Sequence, residues 1–132
     1  MNTLSFHTQT AGRDSANEFR ILVDGCDLLE IVRRIELPQA TAEGQPELAG
    51  SYEVLPPQRW QRLTEQDDGD RVAVFGCECG EVGCWPLRVR ITRKGDTVVW
   101  SDFEQPNRSW SYFALGPFVF QRQQYEAAVA SV

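Results

Sequence analysis

The residues best suited to chemistry are three cysteines within an eight-residue segment. Cys77, Cys79 and Cys84, here called the cysteine cluster, are interleaved with Gly80 and Gly83. Thiolates are soft ligands that bind zinc, and glycines allow a turn to fold its own backbone around a metal. The cluster therefore suggests a zinc site.

The spacing of the cluster matches a zinc turn only in part. Its pattern is C-x-C followed by C-x4-C, whereas zinc turns commonly repeat C-x2-4-C. Residues two apart on a regular strand lie about 6.5 Å from each other, but two sulfurs on one zinc lie within about 4 Å. Cys77 and Cys79 can share a metal only if the chain bends between them, which the flanking glycines would allow. The fourth ligand would be Cys26 or else His7, the only histidine.

Three other interpretations of the cluster stay open. Its cysteines can act as small hydrophobic residues that pack a tight hairpin end, without a cofactor. Cys77 and Cys84 can face each other at disulfide distance, although no C-x-x-C motif is present. A thiol- or metal-dependent enzyme would use the cluster together with Asp102. The acidic neighbours Glu78 and Glu81 disfavour a reactive thiolate, so the sequence leans against catalysis.

Composition and charge exclude several classes of protein. The 132 residues are 42% hydrophobic and 24% charged, which predicts one globular domain over residues 1–132. Nineteen acidic residues against 13 basic ones give a net charge of −6, which argues against a nucleic-acid binder. No stretch is apolar enough for a membrane helix, and residues 1–9 do not have the pattern of a secretory signal. We therefore expect a cytoplasmic protein with reduced cysteines.

The pattern of apolar residues predicts an α+β fold with a mostly antiparallel sheet. A capping box at Asp27 and Glu30 precedes a helix over residues 27–37, which should end before Pro38. Asp24-Gly25 can instead form a hairpin turn. A second helix covers residues 121–131. Strands are expected at residues 4–8, 19–23, 52–54, 72–75, 86–93, 97–103 and 118–120.

Three of these strands should form a meander that gathers the candidate binding residues at one end. The strand over residues 86–93 leaves the cysteine cluster, and the strand over 97–103 returns towards it. Asp102 and Glu104 should therefore lie near the cluster, together with the loop that carries Trp110. Trp85 and Trp110 fall in turns, where exposure would suit an interaction surface.

Several motifs in the C-terminal half resemble those of small uncharacterised bacterial proteins. They are C-x-C-G-x-x-x-C-W at residues 77–85, W-S-D-F at 100–103 and G-P-F-x-F at 116–120. The resemblance implies no activity and no cofactor. We therefore interpret the chain as a non-catalytic binding domain that uses the Cys-rich turn and the Trp-bearing loop, with a protein as the candidate partner. The alternative is a zinc protein or a thiol- or metal-dependent enzyme with its site at the cysteine cluster.

Overall fold

The protein has an α+β fold, as predicted, with two antiparallel sheets and two long helices among the described residues. The computed structural model describes residues 1–9, 18–55, 59–60, 71–76 and 85–131. One sheet has the order β1 (Leu4–Gln9), β2 (Glu18–Val23), β3 (Cys26–Asp27). The other has the order β4 (Glu53–Val54), β5 (Arg71–Gly76), β6 (Leu87–Lys94), β7 (Thr97–Glu104), β8 (Phe118–Gln121). The helices are α1 (Leu28–Ala42) and α2 (Arg122–Ala130).

Asp24-Gly25 forms the hairpin turn between β2 and β3, and the predicted helix follows directly afterwards. Both residues have positive φ, 55° and 79°, as a two-residue turn of type I′ requires. The Asp24 carboxylate also accepts hydrogen bonds from the Asn2 side chain at 2.7 Å and from the Thr3 backbone at 2.8 Å. The turn therefore ties the N-terminal residues to the three-stranded sheet.

Helix α1 begins as predicted and ends later than predicted. The Asp27 side chain accepts a hydrogen bond from the Leu29 backbone at 3.0 Å, which makes Asp27 the N-cap. Glu30 instead lies 3.9 Å from Arg33. The prediction that the helix ends before Pro38 is wrong, because the helix continues to Ala42. A proline inside a helix costs about 3 kcal/mol, so contacts made beyond it must compensate.

The predicted meander is confirmed as β5, β6 and β7, which are antiparallel neighbours. The side chains predicted to share its buried face are at most 1% exposed; they are Leu87, Val89, Ile91, Val98 and Trp100. Trp60 connects this sheet to the smaller one, since its ring lies 6.2 Å from Trp100 and 5.3 Å from Phe6. Helix α2 completes the core with Tyr125 and Val129. No helix in the described ranges is long and apolar enough to cross a membrane.

Candidate binding site

The segment between β7 and β8, residues 105–117, is here called the aromatic loop, and α1 holds it in place. Polar side chains at Glu36, Gln39 and Glu43 each bind the loop. Gln39 makes two hydrogen bonds to one loop residue, at 2.7 Å and 2.9 Å. Their three partners are consecutive loop residues, Tyr112, Ser111 and Trp110. Glu36 and Gln39 lie in α1 and Glu43 is its C-cap residue, and their spacing of three and four places them on one side of the helix. The loop therefore lies along that side.

Strand β7 contains a bulge at Asp102, next to the start of the aromatic loop. Arg90 pairs with Ser101 and Arg88 pairs with Glu104, so two residues of β7 lie opposite the single residue Val89. Asp102 has a φ of 53°, the left-handed value that a G1-type bulge places at its first residue. Such a φ is uncommon outside glycine, although aspartate tolerates it better than most residues. Bulges occur preferentially beside functional sites, where they redirect a side chain.

A pocket of about 420 Å³ opens at this bulge and is here called the Asp102 pocket. Its volume falls within the range of about 300–1,000 Å³ typical of ligand sites. The strands contribute a charged rim and the aromatic loop contributes apolar walls. The lining residues are Arg71, Ser101, Asp102, Phe103, Tyr112, Phe113, Leu115, Gly116 and Pro117.

The two charges on the rim are each held by a partner that does not line the pocket. Asp102 Oδ2 accepts a hydrogen bond from Arg90 Nε at 3.1 Å, and the Asp102 side chain remains 58% exposed. Arg71 Nη1 donates to Glu104 Oε2 at 2.7 Å. Arg71 and Arg90 are direct cross-strand neighbours, and like charges in that position repel. The two carboxylates offset this repulsion and fix the positions of both rim charges.

Phe113 is the most exposed large apolar side chain in the described chain. It is 96% exposed and lines the Asp102 pocket, whereas Tyr112 before it and Leu115 after it are buried. Burying an aromatic ring removes about 150–250 Å² from water. A ring presented in this way by a loop fixed at neighbouring residues is therefore suited to contact a ligand or partner.

A buried carboxylate supports the wall of the pocket from the core side. Glu36 is fully buried, and its Oε2 accepts hydrogen bonds from the hydroxyls of Tyr52 and Tyr112, both at 2.5 Å. Its Oε1 accepts from the Gly50 backbone at 2.9 Å, and Gln105 donates to the Tyr52 hydroxyl at 3.1 Å. Burial raises the pKa of Glu36, and the three donors partly oppose that shift. Burial beside this carboxylate also raises the pKa of both tyrosines.

The two tryptophans of the predicted binding surface are in contact, but Trp110 is not exposed. Their rings meet edge to face with centroids 6.2 Å apart. Trp110 is only 8% exposed, and its Nε1 donates to Glu43 at 2.9 Å. Trp85 is half-buried, and the Arg108 guanidinium lies 5.3 Å from its ring centroid. The contacts among Trp85, Arg108 and Trp110 fix the first half of the aromatic loop. Binding by either tryptophan remains a prediction.

The cysteine cluster lies outside the described residues. Cys26 is exposed in β3, just before α1 begins. Trp85, which follows Cys84, lies under Arg108, and Arg108 contacts Glu43 at the other end of α1. The 15 residues of α1 span about 22 Å. Cys26 and Trp85 therefore lie near opposite ends of α1. Among the described residues, no group of three or more His, Cys, Asp or Glu side chains is arranged to hold a metal ion.

Sequence reasoning named one lining residue of the Asp102 pocket individually, Asp102 itself. The Trp-bearing loop that it also selected contributes Tyr112 and Phe113 to the lining, but neither was named as a site residue. Sequence reasoning placed Asp102 and Glu104 at one end of the meander, and both lie at the bulge or directly after it. Arg71 was assigned to no site, although it is the one exposed residue of β5. Glu36 was overlooked because a carboxylate is not expected in a core. The available signal was its spacing, since Leu28, Val32, Glu36 and Ala40 form one buried i, i+4 row.

Comparison with known proteins does not add to this geometry. No protein family model, no curated protein and no solved structure matches this chain.

Proposed function

We propose that this chain is a non-catalytic binding domain and that the Asp102 pocket, with Phe113 at its edge, is its binding site. The observation that carries the proposal is the 96% exposure of Phe113 on the lining of a 420 Å³ pocket. A buried aromatic side chain contributes about 1.5–3 kcal/mol relative to an exposed one. A ligand that covers Phe113 gains part of this free energy, which folding alone leaves unused.

The anchoring of the aromatic loop supports binding without a large ordering cost. Ser111 and Tyr112, directly before Phe113, are hydrogen-bonded to α1. Leu115, two residues after it, is buried, and its backbone donates to the Tyr112 carbonyl at 2.9 Å. Immobilising a flexible side chain on binding costs about 0.5–1.5 kcal/mol. A wall that is already fixed avoids part of that cost.

The hydrogen bonds of the polar lining residues favour binding over catalysis. The hydroxyl of Tyr112 donates to Glu36, and burial raises its pKa, so it keeps its proton at neutral pH. The Asp102 carboxylate is hydrogen-bonded to Arg90. Groups already held in this way recognise a ligand more readily than they transfer its protons. We place the protein in the cytoplasm as part of the same proposal, supported by the exposed thiol of Cys26.

Chemical-shift mapping by two-dimensional ¹⁵N NMR tests the proposal. Benzyl alcohol, benzylamine and benzoate serve as neutral, cationic and anionic probes of the same ring size. We expect at least one to cause saturable shifts at the amides of the pocket lining. The variant Ser101→Phe fills the pocket from its half-buried strand position and should abolish these shifts.

Thr92→Phe is the matched control for this experiment. Thr92 is a half-buried hydroxyl residue on the neighbouring strand β6 and does not line the pocket. Because it introduces the same ring outside the pocket, the shifts should persist in this variant. Shifts that scatter over the molecule, or that survive Ser101→Phe in a folded variant, would overturn the assignment of the pocket as the binding site.

A further inference from the structure

We infer that the Asp102 pocket takes a small zwitterion with an apolar side chain, of the chemical class of an apolar α-amino acid. This inference rests on the proposed function, since it names the ligand of the same site. Its basis is that one rim carries a carboxylate, Asp102, and a guanidinium, Arg71, above walls formed by Phe103, Leu115 and Pro117.

The two rim charges are available to a ligand because neither neutralises the other. Asp102 pairs with Arg90, and Arg71 pairs with Glu104, so each rim charge is held from outside the pocket. The pair with Arg90 uses one oxygen of Asp102, and the pair with Glu104 uses one terminal nitrogen of Arg71. The second Asp102 oxygen makes no hydrogen bond within the described part of the chain. The Arg71 guanidinium has five N–H donors in total. Both groups therefore retain bonding capacity towards the pocket.

The presence of both signs selects against singly charged ligands. A ligand that carries only an ammonium group can pair with Asp102 but desolvates Arg71 without replacing its water. A ligand that carries only a carboxylate can pair with Arg71 but desolvates Asp102 without replacing its water. Removing water from a charged group without supplying a partner is unfavourable. A zwitterion places its ammonium group at Asp102 and its carboxylate at Arg71, and thereby satisfies both charges.

The size and walls of the pocket define the rest of the ligand. At about 420 Å³ the pocket lies at the small end of the usual range for ligand sites, which suits a molecule of amino-acid size. Phe103 and Leu115 line the pocket but are nearly fully buried, so the main apolar surface available to a ligand is the exposed ring of Phe113 beside them. An aromatic or branched aliphatic side chain is therefore the expected remainder of the ligand.

Isothermal titration calorimetry with three related probes tests the inference. L-phenylalanine carries both charges, 2-phenylethylamine carries only the ammonium group, and 3-phenylpropionate carries only the carboxylate. We expect L-phenylalanine to bind about fivefold to tenfold more tightly than either analogue, because charge-assisted contacts at a partly exposed rim are of modest strength.

Two rim variants assign each charge. In Asp102→Asn the ammonium group loses its partner, so L-phenylalanine should bind no more tightly than 3-phenylpropionate. In Arg71→Gln the carboxylate loses its partner, so L-phenylalanine should bind no more tightly than 2-phenylethylamine. Asp96→Asn and Arg122→Gln make the same charge changes at a second pocket, next to the N-terminus of α2, and should leave all affinities unchanged. Far-ultraviolet circular dichroism confirms that each variant is folded.

The outcomes separate this inference from the proposed function. Equal affinity for the three probes, lost together in Ser101→Phe, would overturn the zwitterion and leave the pocket as a binding site. Binding of the benzyl probes without binding of L-phenylalanine would do the same. No binding of any probe at the pocket would overturn both proposals.

Discussion

Replacing Glu36 with alanine should cause a large loss of stability, because Glu36 is the shared acceptor of three buried donors. The hydroxyls of Tyr52 and Tyr112 and the backbone N–H of Gly50 all donate to its carboxylate, at 2.5, 2.5 and 2.9 Å. A buried donor left without an acceptor costs about 1–3 kcal/mol. Removing the carboxylate also removes its own desolvation cost, so the separate losses do not add in full. We expect Glu36→Ala to lower the free energy of unfolding by about 3 kcal/mol.

Urea denaturation followed by tryptophan fluorescence measures this loss. Glu47→Ala is the control, because Glu47 is exposed and a change at such a position usually alters stability by less than about 0.5 kcal/mol. Glu36→Gln should fall between the two, since its amide keeps one acceptor oxygen but turns an N–H₂ group towards a donor. A loss below about 1 kcal/mol for Glu36→Ala would refute the view that this carboxylate organises the network.

The pH dependence of the same variant follows from the direction of the pKa shift. Burial raises the pKa of Glu36 above its ordinary value of 4.5, so the folded protein holds a proton that the unfolded chain has already released. The stability that Glu36 contributes is therefore fully present below pH 4.5 and declines as the pH rises through the raised pKa. The loss measured for Glu36→Ala should accordingly be larger at pH 4 than at pH 8. A larger loss at pH 8 than at pH 4 would show that the three hydrogen-bond donors lower the pKa of Glu36 by more than burial raises it.

Two further predictions concern the N-terminal turn and the cysteine cluster. Hydrogen bonds from Asn2 and Thr3 lower the pKa of Asp24 below 3.8, so the stabilisation that they give is present above that pH and is lost as the pH falls through the lowered pKa. Thermal unfolding should show Asp24→Asn less stable than the wild type at pH 7, and the difference should shrink as the pH is lowered below 3.8. A difference that stays constant down to the lowest pH at which both proteins fold would contradict this expectation. Elemental analysis of protein purified without added metal should find no stoichiometric zinc, because the C-x-C spacing of Cys77 and Cys79 suits shared ligation poorly. One zinc per chain would show that this reasoning is wrong.

The strands were predictable because their signal is local. In β6 and β7 the alternation of apolar and polar residues identifies the buried face, and a short Lys94-Gly95-Asp96 turn fixes the pairing. The N-cap at Asp27 was predictable for the same reason, since it depends on residues adjacent in the chain. For the candidate site, the sequence predicts only a location. Hairpin topology places Asp102 and Glu104 at one end, but the positive φ of Asp102 follows from a bulge that the sequence pattern does not reveal.

Pro38 shows why the remainder depends on tertiary contacts. Its local effect favours ending the helix, and that was the prediction. Had α1 ended there, Gln39 and Glu43 would not lie on the same side of the helix as Glu36. Of the three contacts that these residues make with the aromatic loop, only the one through Tyr112 would remain. The helix continues because Ala40 is buried beyond the proline and because Gln39 makes two hydrogen bonds to the loop.

The row of polar groups on α1 therefore links the core to the candidate site. Glu36 orients Tyr112, which lines the Asp102 pocket, while Gln39 fixes the residue before it. The exposed Phe113 directly follows Tyr112, so the position of Phe113 depends on the contacts that α1 makes with Ser111 and Tyr112. A carboxylate is expensive to bury, and a hydrophobic residue at position 36 would pack against the core without that cost. A hydrophobic side chain would not, however, bind the Tyr112 hydroxyl. We interpret the buried carboxylate as the group that sets the geometry of the aromatic loop.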